Sequence, residues 1–529
     1  MLLAGSKDQM TLIKLDWRLF LCLFALGLIG TWIPLFDLDE GAFLEATREL
    51  LNGGHWAATT LDGMPRYDKP ILSYWLQAIS LWCLGFLEEI IPIEVIGRLP
   101  SVIAGALWAL ALGRFTSEYT QKPALGLFVA LSLTSTLGIL VITRAATADS
   151  LLNLWFALLF TDIARYIQKP NKVIQIRVFA WLAFGILTKG PVAVLIPIGA
   201  FGLWVVSSQQ WGVLRSALSS VSGWLLLCTI LTPWLIGVYD AQGIEFFRNF
   251  ILRHNIERFS GNLEGHGGYL FYYLFVMPLV LLPYSGLFIA VSMRFKRFWN
   301  DPVGRFGLIW CLLVVGLVSA SGTQLPHYVL YSTPPLFIFY ACVVPELKHR
   351  FWALPGLLIP IGILVLISFN HLIPLPDHPR DQEQLQFLKD VISNWWWPLS
   401  ITSLLLTSLA LVIIILPGWK PTQRLLAMGG VQLIIVSLVL LPLLSEARQM
   451  PIKTAALIAR EAGAEVVAQG IRMPSFSFYR KEITPEIAPK PGQWVIISTT
   501  HLTELQALNY RIEVKATGPG WRLIALRKQ

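Results

Sequence analysis

The stretch that decides the fold is LDEGAFLEATRELLNGGHW, residues 38–56, together with the apolar run that precedes it. That run, LFLCLFALGLIGTWIPLF at Leu19–Phe36, has the length and composition of a helix that crosses a bilayer. Directly after it the chain presents Asp39, Glu40 and Glu45. Because acidic groups are costly near hydrocarbon, they either end the span or serve chemistry at the membrane surface.

The composition extends this interpretation to most of the chain. Of the 529 residues, 55% are hydrophobic and only 14% are charged, and the mean hydropathy is +0.62. A soluble protein carries about 25% charged residues. Apolar stretches of spanning length recur from the N-terminus to about Leu444. We therefore expect an all-α polytopic membrane protein.

These stretches predict about thirteen transmembrane helices. Their approximate bounds are 18–36, 96–113, 123–142, 150–167, 173–188, 191–207, 219–239, 269–292, 306–321, 328–344, 351–369, 397–416 and 425–444. One further apolar stretch, Pro70–Phe86, is short, and its polar residues Ser73, Gln77 and Ser80 share one helical face. It either spans the membrane or lies in the interface as an amphipathic helix.

The positions of lysine and arginine decide between these alternatives. If Pro70–Phe86 lies in the interface and the N-terminus is cytoplasmic, nearly every basic loop is cytoplasmic, as the positive-inside rule requires. If the stretch spans, all later loops invert and the rule fails. The basic residues concerned are Arg114, Lys122, Lys169, Lys172, Arg177, Arg215, Arg294, Lys296, Arg297, Arg305, Lys348, Arg350, Lys420 and Arg424. The net charge of +9 then mainly reflects topology, and we predict no nucleic-acid partner.

This topology puts the unusual polar segments on the external face. Their convergence on one side is the main indication, within the sequence, of a functional site. The segments are 38–70, 143–150, 188–191, 240–268 and 322–328.

The composition changes after Leu444, where short segments such as QWVIISTT and WRLIALRK are typical of strands. We predict a transmembrane domain at 1–444, with an external loop at 37–95. A small, soluble and external α/β domain then occupies 445–529. It carries no catalytic motif, so a capping or packing role is its simplest interpretation.

Several candidate site residues also have a structural interpretation. Asp39 and Glu40 suit a helix N-terminus, where acids favour the helix dipole, and Asp149 suits an N-cap. Lys189 can snorkel to the interface between two closely spaced spans. A solvated interface position explains Arg66 and Lys69 better than the acid between them, Asp68. His254 and Arg258 lie four residues apart and share a face if helical, and Tyr328 can donate a hydrogen bond to an anion.

Two carboxylates and several cations at one membrane face suit a particular reaction. One carboxylate can take a proton from an acceptor hydroxyl. The cations, with or without a divalent metal ion, can stabilise the charge that develops on a phosphate leaving group. A lipid-tethered leaving group would explain why such an enzyme is embedded in a membrane.

The combined motifs resemble those of a known family. LDEGAFLEATRELLNGGHW followed by RYDKPILSYW, then RLPSVIAG, ATADSLLNLWFALL, LTKGP and LPHYVLYSTPPL, are similar to GT-C glycosyltransferases. Within that group they most resemble the superfamily of lipid A 4-amino-4-deoxy-L-arabinose transferases and protein O-mannosyltransferases. The resemblance implies inverting transfer of a sugar from a polyprenyl-phosphate donor to a lipid (lipid A-like) or protein acceptor, at the external face of a bacterial inner membrane.

The resemblance assigns the catalytic and donor-binding residues. Asp39 matches the family's first-loop aspartate and is our predicted general base, while Asp149 matches its second external acid. Lys69 matches the lysine near the donor phosphate, Lys189 the lysine of the TKG turn, and Tyr328 the tyrosine of the LP-Y motif. We assign all three to binding of the donor phosphate.

Further assignments concern a metal ion and substrate binding. Asp68 and His254 stand where the arabinose transferase has a glutamate and a histidine that bind metal, which implies a divalent zinc or magnesium ion. Arg258 resembles its phosphate-contacting arginine, and we assign Glu40 and Arg66 to substrate binding.

Two departures leave the sugar and the acceptor open. Gln324 replaces a basic residue before LP, and Asp68 is one carbon shorter than glutamate. A rival hypothesis is a transporter or flippase for a lipid-linked glycan, which predicts charges in the middle of spans and internal repeats. Here the charges lie at the ends of spans. A non-catalytic scaffold is a third, weaker hypothesis.

Overall fold

The computed structural model describes residues 5–257, 269, 271–502, 505 and 511–527, with the side chains of 5–16 and 255 left aside. Helices dominate up to residue 461, and a small sheet follows them. The first eleven α-helices are α1 (Gly5–Leu28), α2 (Asp39–Leu51), α3 (Leu72–Leu84), α4 (Ile93–Thr120), α5 (Pro123–Ser135), α6 (Leu137–Thr143), α7 (Asp149–Gln168), α8 (Lys172–Lys189), α9 (Val192–Ser208), α10 (Trp211–Leu218) and α11 (Val221–Arg248).

The remaining helical segments continue the bundle and lead to the C-terminal sheet. A π-helix at Asn249–Glu257 extends α11, and a 3₁₀-helix at Pro326–Ser332 precedes a buried α-helix. The further α-helices are Tyr272–Val280, Ser285–Ser292, Phe295–Asn300, Pro302–Ala320, Thr333–Val343, Leu358–Phe369, Pro379–Asn394, Trp396–Ile415, Pro421–Ile435, Leu441–Arg448, Met450–Glu461 and Pro474–Arg480.

The structure confirms a multi-pass helical protein but not the predicted number of spans. In the described part of the chain, eight helices are long and apolar enough to cross a membrane, or ten if each of two bent pairs is one span. One such pair, α5 with α6, bends by 68°. The other predicted spans correspond to helices that are shorter, such as α9, or that carry more charge, such as α8.

The segment after α1 folds back as a compact unit on the helical bundle. It comprises α2, an antiparallel hairpin of β1 (Thr59–Leu61) and β2 (Met64–Arg66), and α3. With 13 residues, α3 is about 20 Å long, which is short of the bilayer's ~30 Å apolar thickness. Its length fits the interfacial position predicted for Pro70–Phe86.

A four-stranded sheet forms the C-terminal unit. Its strands β3 (Val466–Gln469), β4 (Trp494–Ser498), β5 (Arg511–Gly518) and β6 (Trp521–Arg527) lie in the order β3-β4-β6-β5. The β3–β4 pair is parallel, and the other two pairs are antiparallel. The predicted small C-terminal sheet is thus present, and the helix Pro379–Asn394, which we did not predict, contacts it through Glu383 and Arg522.

One apolar core joins this C-terminal unit to the first loop. Leu35 and Leu44 are buried with Phe476 and Trp521 in the same cluster. The hydroxyl of Tyr479 accepts a hydrogen bond of 2.8 Å from the backbone N–H of Leu35. The C-terminal unit therefore supports the loop that follows the first apolar run.

Candidate active site

Asp149 and Lys189 meet where two helices begin and end. Asp149 is the first residue of α7, and Lys189 is the last residue of α8. Gly190 follows with a φ of +71°, a conformation that favours glycine, and a side chain there would strike the ring of Phe250. The ammonium of Lys189 donates a hydrogen bond of 2.6 Å to Oδ1 of Asp149, and both side chains are largely buried.

A 3₁₀-helix brings three further side chains to this pair. The hydroxyl of Tyr331 lies 2.9 Å from Nζ of Lys189 and 3.3 Å from Oδ1 of Asp149. Nε2 of His327 lies 3.6 Å from the same carboxylate oxygen. The ammonium of Lys189 also lies 5.1 Å from the centre of the Tyr328 ring, within cation–π range.

A second charged cluster stands directly before α3. The guanidinium of Arg66 donates hydrogen bonds of 2.6 and 2.9 Å to the two oxygens of Asp68. Lys69 adds a bond of 3.2 Å to Oδ2 of Asp68. Although burial raises the pKa of Asp68, the adjacent charges of Arg66 and Lys69 hold it well below its usual range.

The two clusters belong to one site. Ile71, Ala148 and Leu187, which flank Lys69, Asp149 and Lys189 in the chain, are buried in one apolar cluster. The charge of Lys69 also acts on Asp149. The structure thus brings together six sequence-predicted residues: Arg66, Asp68, Lys69, Asp149, Lys189 and Tyr328.

Asp39 differs from these carboxylates in its surroundings. It is exposed and is the first residue of α2. Among the described residues, no hydrogen bond or ion pair involves its side chain. Asp39 does not cap the helix, because the N-cap is Leu38 and no side chain caps there. Its carboxylate is therefore open to a proton donor from outside the chain.

The structure corrects the assignment of Glu40 to substrate binding. Glu40 is 3% exposed and forms a buried ion pair of 2.7 Å with Arg98 on α4. Its carboxylate also accepts hydrogen bonds from the backbone N–H groups of Phe36 and Ala146, at 2.9 and 2.6 Å. With both oxygens engaged inside the protein, Glu40 is a structural link between the first loop and the segment before α7.

The arrangement of Asp68 does not fit the metal ligand that the resemblance implied. Both of its oxygens accept hydrogen bonds from cations, so a metal ion would have to displace Arg66 and Lys69. His254, the other implied ligand, lies partly buried in the π-helix Asn249–Glu257. Arg258 lies outside the described residues. We therefore assign no step to a metal ion.

Sequence reasoning missed His327 and Tyr331. A 3₁₀-helix has three residues per turn, so residues at i and i+3 lie on one side. Tyr328 and Tyr331 show this spacing, and their rings stack at 5.8 Å. The sequence PHYVLYSTPP carried a usable signal, because tyrosines three residues apart share a side of a 3₁₀-helix and also of an α-helix.

Comparisons with known proteins agree with the sequence motifs. The family model described as dolichyl-phosphate-mannose-protein mannosyltransferase matches residues 68–236. The undecaprenyl phosphate-alpha-4-amino-4-deoxy-L-arabinose arabinosyl transferase of Shewanella sediminis is 26% identical over 64% of this chain and 60% of its own length. The enzyme of that name from Pseudomonas paraeruginosa is 25% identical over 77% of this chain and 76% of its own.

A crystal structure shares the fold over nearly the whole chain. ArnT from Cupriavidus metallidurans, bound to undecaprenyl phosphate, superposes with a TM-score of 0.78. The match covers 97% of this chain and 98% of that one, at 17% sequence identity. The Shewanella match, in contrast, spans about three fifths of that relative's length.

Proposed function

We propose that this chain is an inverting glycosyltransferase of the bacterial inner membrane and a member of the GT-C superfamily, whose fold and motifs it resembles. It moves a sugar from a polyprenyl-phosphate donor, most simply undecaprenyl phosphate, to a lipid or protein acceptor at the external face. The observations that carry the proposal are the cluster of Lys69, Lys189 and two tyrosines, and the exposed carboxylate of Asp39, which has no ion pair among the described residues.

The donor side of the site is electropositive. Arg66, Lys69 and Lys189 supply three positive charges against the two carboxylates of Asp68 and Asp149, which leaves one net positive charge. When the bond to the sugar breaks, its electron pair passes to the phosphate oxygen. Ammonium groups and a tyrosine hydroxyl already in place stabilise that developing charge without reorganisation.

The acceptor side needs a free base, and the two aspartates differ in that respect. Asp149 is ion-paired with Lys189 at 2.6 Å, so it suits holding Lys189 and the substrate in position. Asp39, without such a partner among the described residues, takes the proton of the acceptor hydroxyl. The hydroxyl oxygen bonds to the anomeric carbon as the bond from that carbon to the donor phosphate breaks, which inverts the configuration.

The test is transfer by the purified full-length chain in lipid nanodiscs. Undecaprenyl-phosphate-linked sugars are supplied with a lipid extract of the bacterial envelope, and mass spectrometry follows the released undecaprenyl phosphate and the glycosylated product. We expect release that depends on both the extract and Asp39. A chain that binds none of these donors, or that moves an intact lipid-linked sugar between leaflets without cleaving it, would contradict the proposal and favour a flippase.

A further inference from the structure

A cavity of about 310 Å³ lies among five consecutive helices, α7 to α11, and none of the residues assigned to the proposed reaction lines it. Its volume is at the lower end of the range for sites that bind small molecules, about 300–1,000 Å³. The cavity extends along α8 from Gln175 to Ile186, which is about 16 Å at the rise of an α-helix. Spread over that length the space is narrow, so its shape suits one extended chain better than a bulky ring.

The wall of this cavity is almost entirely apolar. Among the described residues that line it, only Tyr166, Gln175 and Trp224 carry a side-chain group that forms hydrogen bonds. Each of these groups already bonds to α10, at 2.8, 3.0 and 3.0 Å respectively. A hydrocarbon chain would bury the remaining apolar surface, whereas a polar ligand would lose its hydrogen bonds to water.

The cavity opens on the outer surface of the helical bundle. Ile198, Leu218 and Trp224 line it, and these residues are also 46–55% exposed. In a multi-pass membrane protein, apolar side chains exposed together in this way are expected to face lipid. A lipid can therefore insert a chain from the bilayer without passing a polar surface of the protein.

Positive charges lie at the end of the cavity near Gln175. Lys172 is the first residue of α8, one turn before Gln175, and Arg215 directly precedes the part of α10 to which Gln175 bonds. Both are exposed, and no ion pair involves either of them among the described residues. The sequence has no acidic residue between 163 and 224, and Asp162 is fully buried and paired with two arginines. The charges at this end of the cavity therefore favour an anion.

We infer that this cavity binds one acyl chain of an anionic phospholipid, whose phosphate lies against Lys172 and Arg215. Basic groups between membrane helices attract anionic headgroups. A polyprenyl-phosphate donor fits less well, because its phosphate is expected at Lys189, about 25 Å from Lys172 at the opposite end of α8, and would leave Lys172 and Arg215 without an anion. The acyl chain reaches Ile186, three residues before Lys189, and so packs against the helix that carries this lysine.

The experiment is native mass spectrometry of the full-length chain after its lipids have been exchanged for detergent. The probes are phosphatidylglycerol, phosphatidylethanolamine with the same two acyl chains, and undecaprenyl phosphate. Gly202→Phe places a ring in the cavity, and a Cβ at that position meets no atom within 4 Å, so the variant should fold. Gly316→Phe, its control, makes the same change in the helix Pro302–Ala320, outside the cavity, where a Cβ also meets no atom within 4 Å.

A second pair of variants tests the charges. Lys172→Gln/Arg215→Gln removes the two cations at the end of the cavity. Lys296→Gln/Lys348→Gln, its control, removes the same charge from two exposed positions elsewhere.

We expect the wild type and both controls to retain one phosphatidylglycerol per chain in preference to phosphatidylethanolamine. Gly202→Phe should lose the retained phospholipid, because the ring takes the place of the acyl chain. Lys172→Gln/Arg215→Gln should still hold a phospholipid, but its preference should fall by about fivefold for each cation removed.

Three results would each overturn the inference. They are equal retention of the two phospholipids by the wild type, an unchanged preference in Lys172→Gln/Arg215→Gln, and equal retention by Gly202→Phe and Gly316→Phe. Loss of undecaprenyl phosphate from Gly202→Phe alone would assign the cavity to a polyprenyl chain and overturn it as well. The charge variant keeps the test valid if Gly202→Phe does not fold.

Discussion

Asp39 and Asp149, the two carboxylates of the proposed reaction, have different surroundings. Lys189 donates to Asp149 at 2.6 Å, and Tyr331 and His327 lie close to the same oxygen. Asp39 is exposed at the start of α2. A general base must accept a proton, and a carboxylate whose charge is neutralised by an adjacent ammonium is the weaker acceptor. This difference is the reason for proposing Asp39 as the base and Asp149 as the positioning group.

Asp39→Asn is expected to lower sugar transfer by at least about 100-fold, because an amide does not accept the proton and general-base catalysis contributes about 10²–10⁴-fold. Folding should be unaffected, since the Asp39 side chain forms no cap on α2. Transfer rates and thermal unfolding of the purified variant test this. Asp377→Asn, at an exposed position, is the control. Near wild-type transfer by Asp39→Asn would place the base elsewhere.

Lys69→Met is expected to weaken binding of undecaprenyl phosphate by about tenfold or more, since a hydrogen bond to a charged group contributes about 1.5–3 kcal/mol. Asp68 keeps both hydrogen bonds from Arg66, so the fold should persist. Titration of the lipid against protein in nanodiscs measures the dissociation constant. Lys348→Met, at an exposed position, should bind as the wild type does. The assignment fails if both variants bind equally well.

For single residues, the sequence predicts which side chains belong to the site better than it predicts the residues with which they pair. Asp149 and Lys189 were identified at the ends of spans and Lys69 directly before the interfacial helix, and the structure brings the three together. Glu40 was assigned to substrate, yet its partner Arg98 is 58 residues away in the chain. No local pattern shows that two charges so distant will meet in a buried pair. The sequence alone therefore could not show that Glu40 has a structural role, unlike the neighbouring Asp39, which we propose as the general base.

The buried Glu40–Arg98 pair is the main link between elements at the site. Arg98, on α4, also donates hydrogen bonds to the backbone carbonyls of Thr31, Ile33 and Pro34, at 2.8, 2.5 and 3.1 Å. Glu40 in turn accepts from the N–H of Ala146, three residues before Asp149. One ion pair thus fixes α2, the turn before it and the start of α7 relative to α4.

Arg98→Met is expected to destabilise the protein by about 3–5 kcal/mol, because it leaves Glu40 as an uncompensated buried charge. The double variant Arg98→Met/Glu40→Gln should recover part of that loss, since no charge then remains buried. Arg527→Met breaks an exposed pair with Glu513, which should change the stability little because solvent screens that pair. Denaturant unfolding in detergent compares the three variants. Equal stabilities of Arg98→Met and Arg527→Met would contradict the structural role of the buried pair.

A second link joins the first loop to the C-terminal unit through Asp37. Its carboxylate accepts hydrogen bonds from the backbone N–H of Ser475, at 3.0 Å, and from the Ser475 hydroxyl. Burial raises the pKa of Asp37 to about 7, although the bonds from Ser475 lower it. The folded protein therefore retains a proton on Asp37 at a pH where the unfolded chain, with an ordinary value of 3.8, has lost it.

The sign of the resulting pH dependence follows from linkage. A carboxyl group with a raised pKa in the folded state stabilises the fold below pH 4, and this contribution is lost as the pH rises to about 7. Asp37→Asn resembles the protonated acid at every pH. We expect its melting temperature to match that of the wild type near pH 4 and to exceed it at pH 8. A melting temperature below that of the wild type at pH 8 would show that the charged carboxylate stabilises the link.

The whole molecule has two chemically different ends. At one end, contacts join the loops that carry many of the basic residues. Arg165 pairs with Glu118, Tyr119 donates to Asp301, and the guanidinium of Arg305 lies 3.3 Å from the carbonyl of Ser207. The other end carries Asp39, the C-terminal unit and the charged cluster of Arg66, Asp68, Lys69, Asp149 and Lys189, which we propose as the donor cluster. The distribution of lysine and arginine alone predicted that these two groups of loops lie on opposite faces of the membrane. The contacts agree with that grouping.

The number of membrane spans could be predicted less accurately than the grouping of the loops at the two ends of the molecule. Apolar runs of similar composition form a straight helix at Pro302–Ala320 and a pair bent by 119° at Tyr272–Val280 and Ser285–Ser292. Hydropathy measures transfer from water to lipid, and it does not record where a helix breaks. Pro283, with a cis bond to Leu282, lies within that break. A hydropathy window along the sequence therefore counts apolar segments. The number of membrane crossings also depends on how those segments bend and pack.

The last prediction concerns orientation. From the positive-inside rule we expect the basic end in the cytoplasm and the donor cluster and the C-terminal sheet on the external face. In a variant without its five native cysteines, Glu482→Cys marks an exposed position of the C-terminal unit and Gln121→Cys one at the basic end. An impermeant thiol reagent should label Glu482→Cys in intact spheroplasts, and Gln121→Cys only after lysis. The reverse pattern would place the site in the cytoplasm. A polyprenyl-phosphate donor would then have to present its sugar at the cytoplasmic face of the membrane, not at the external face.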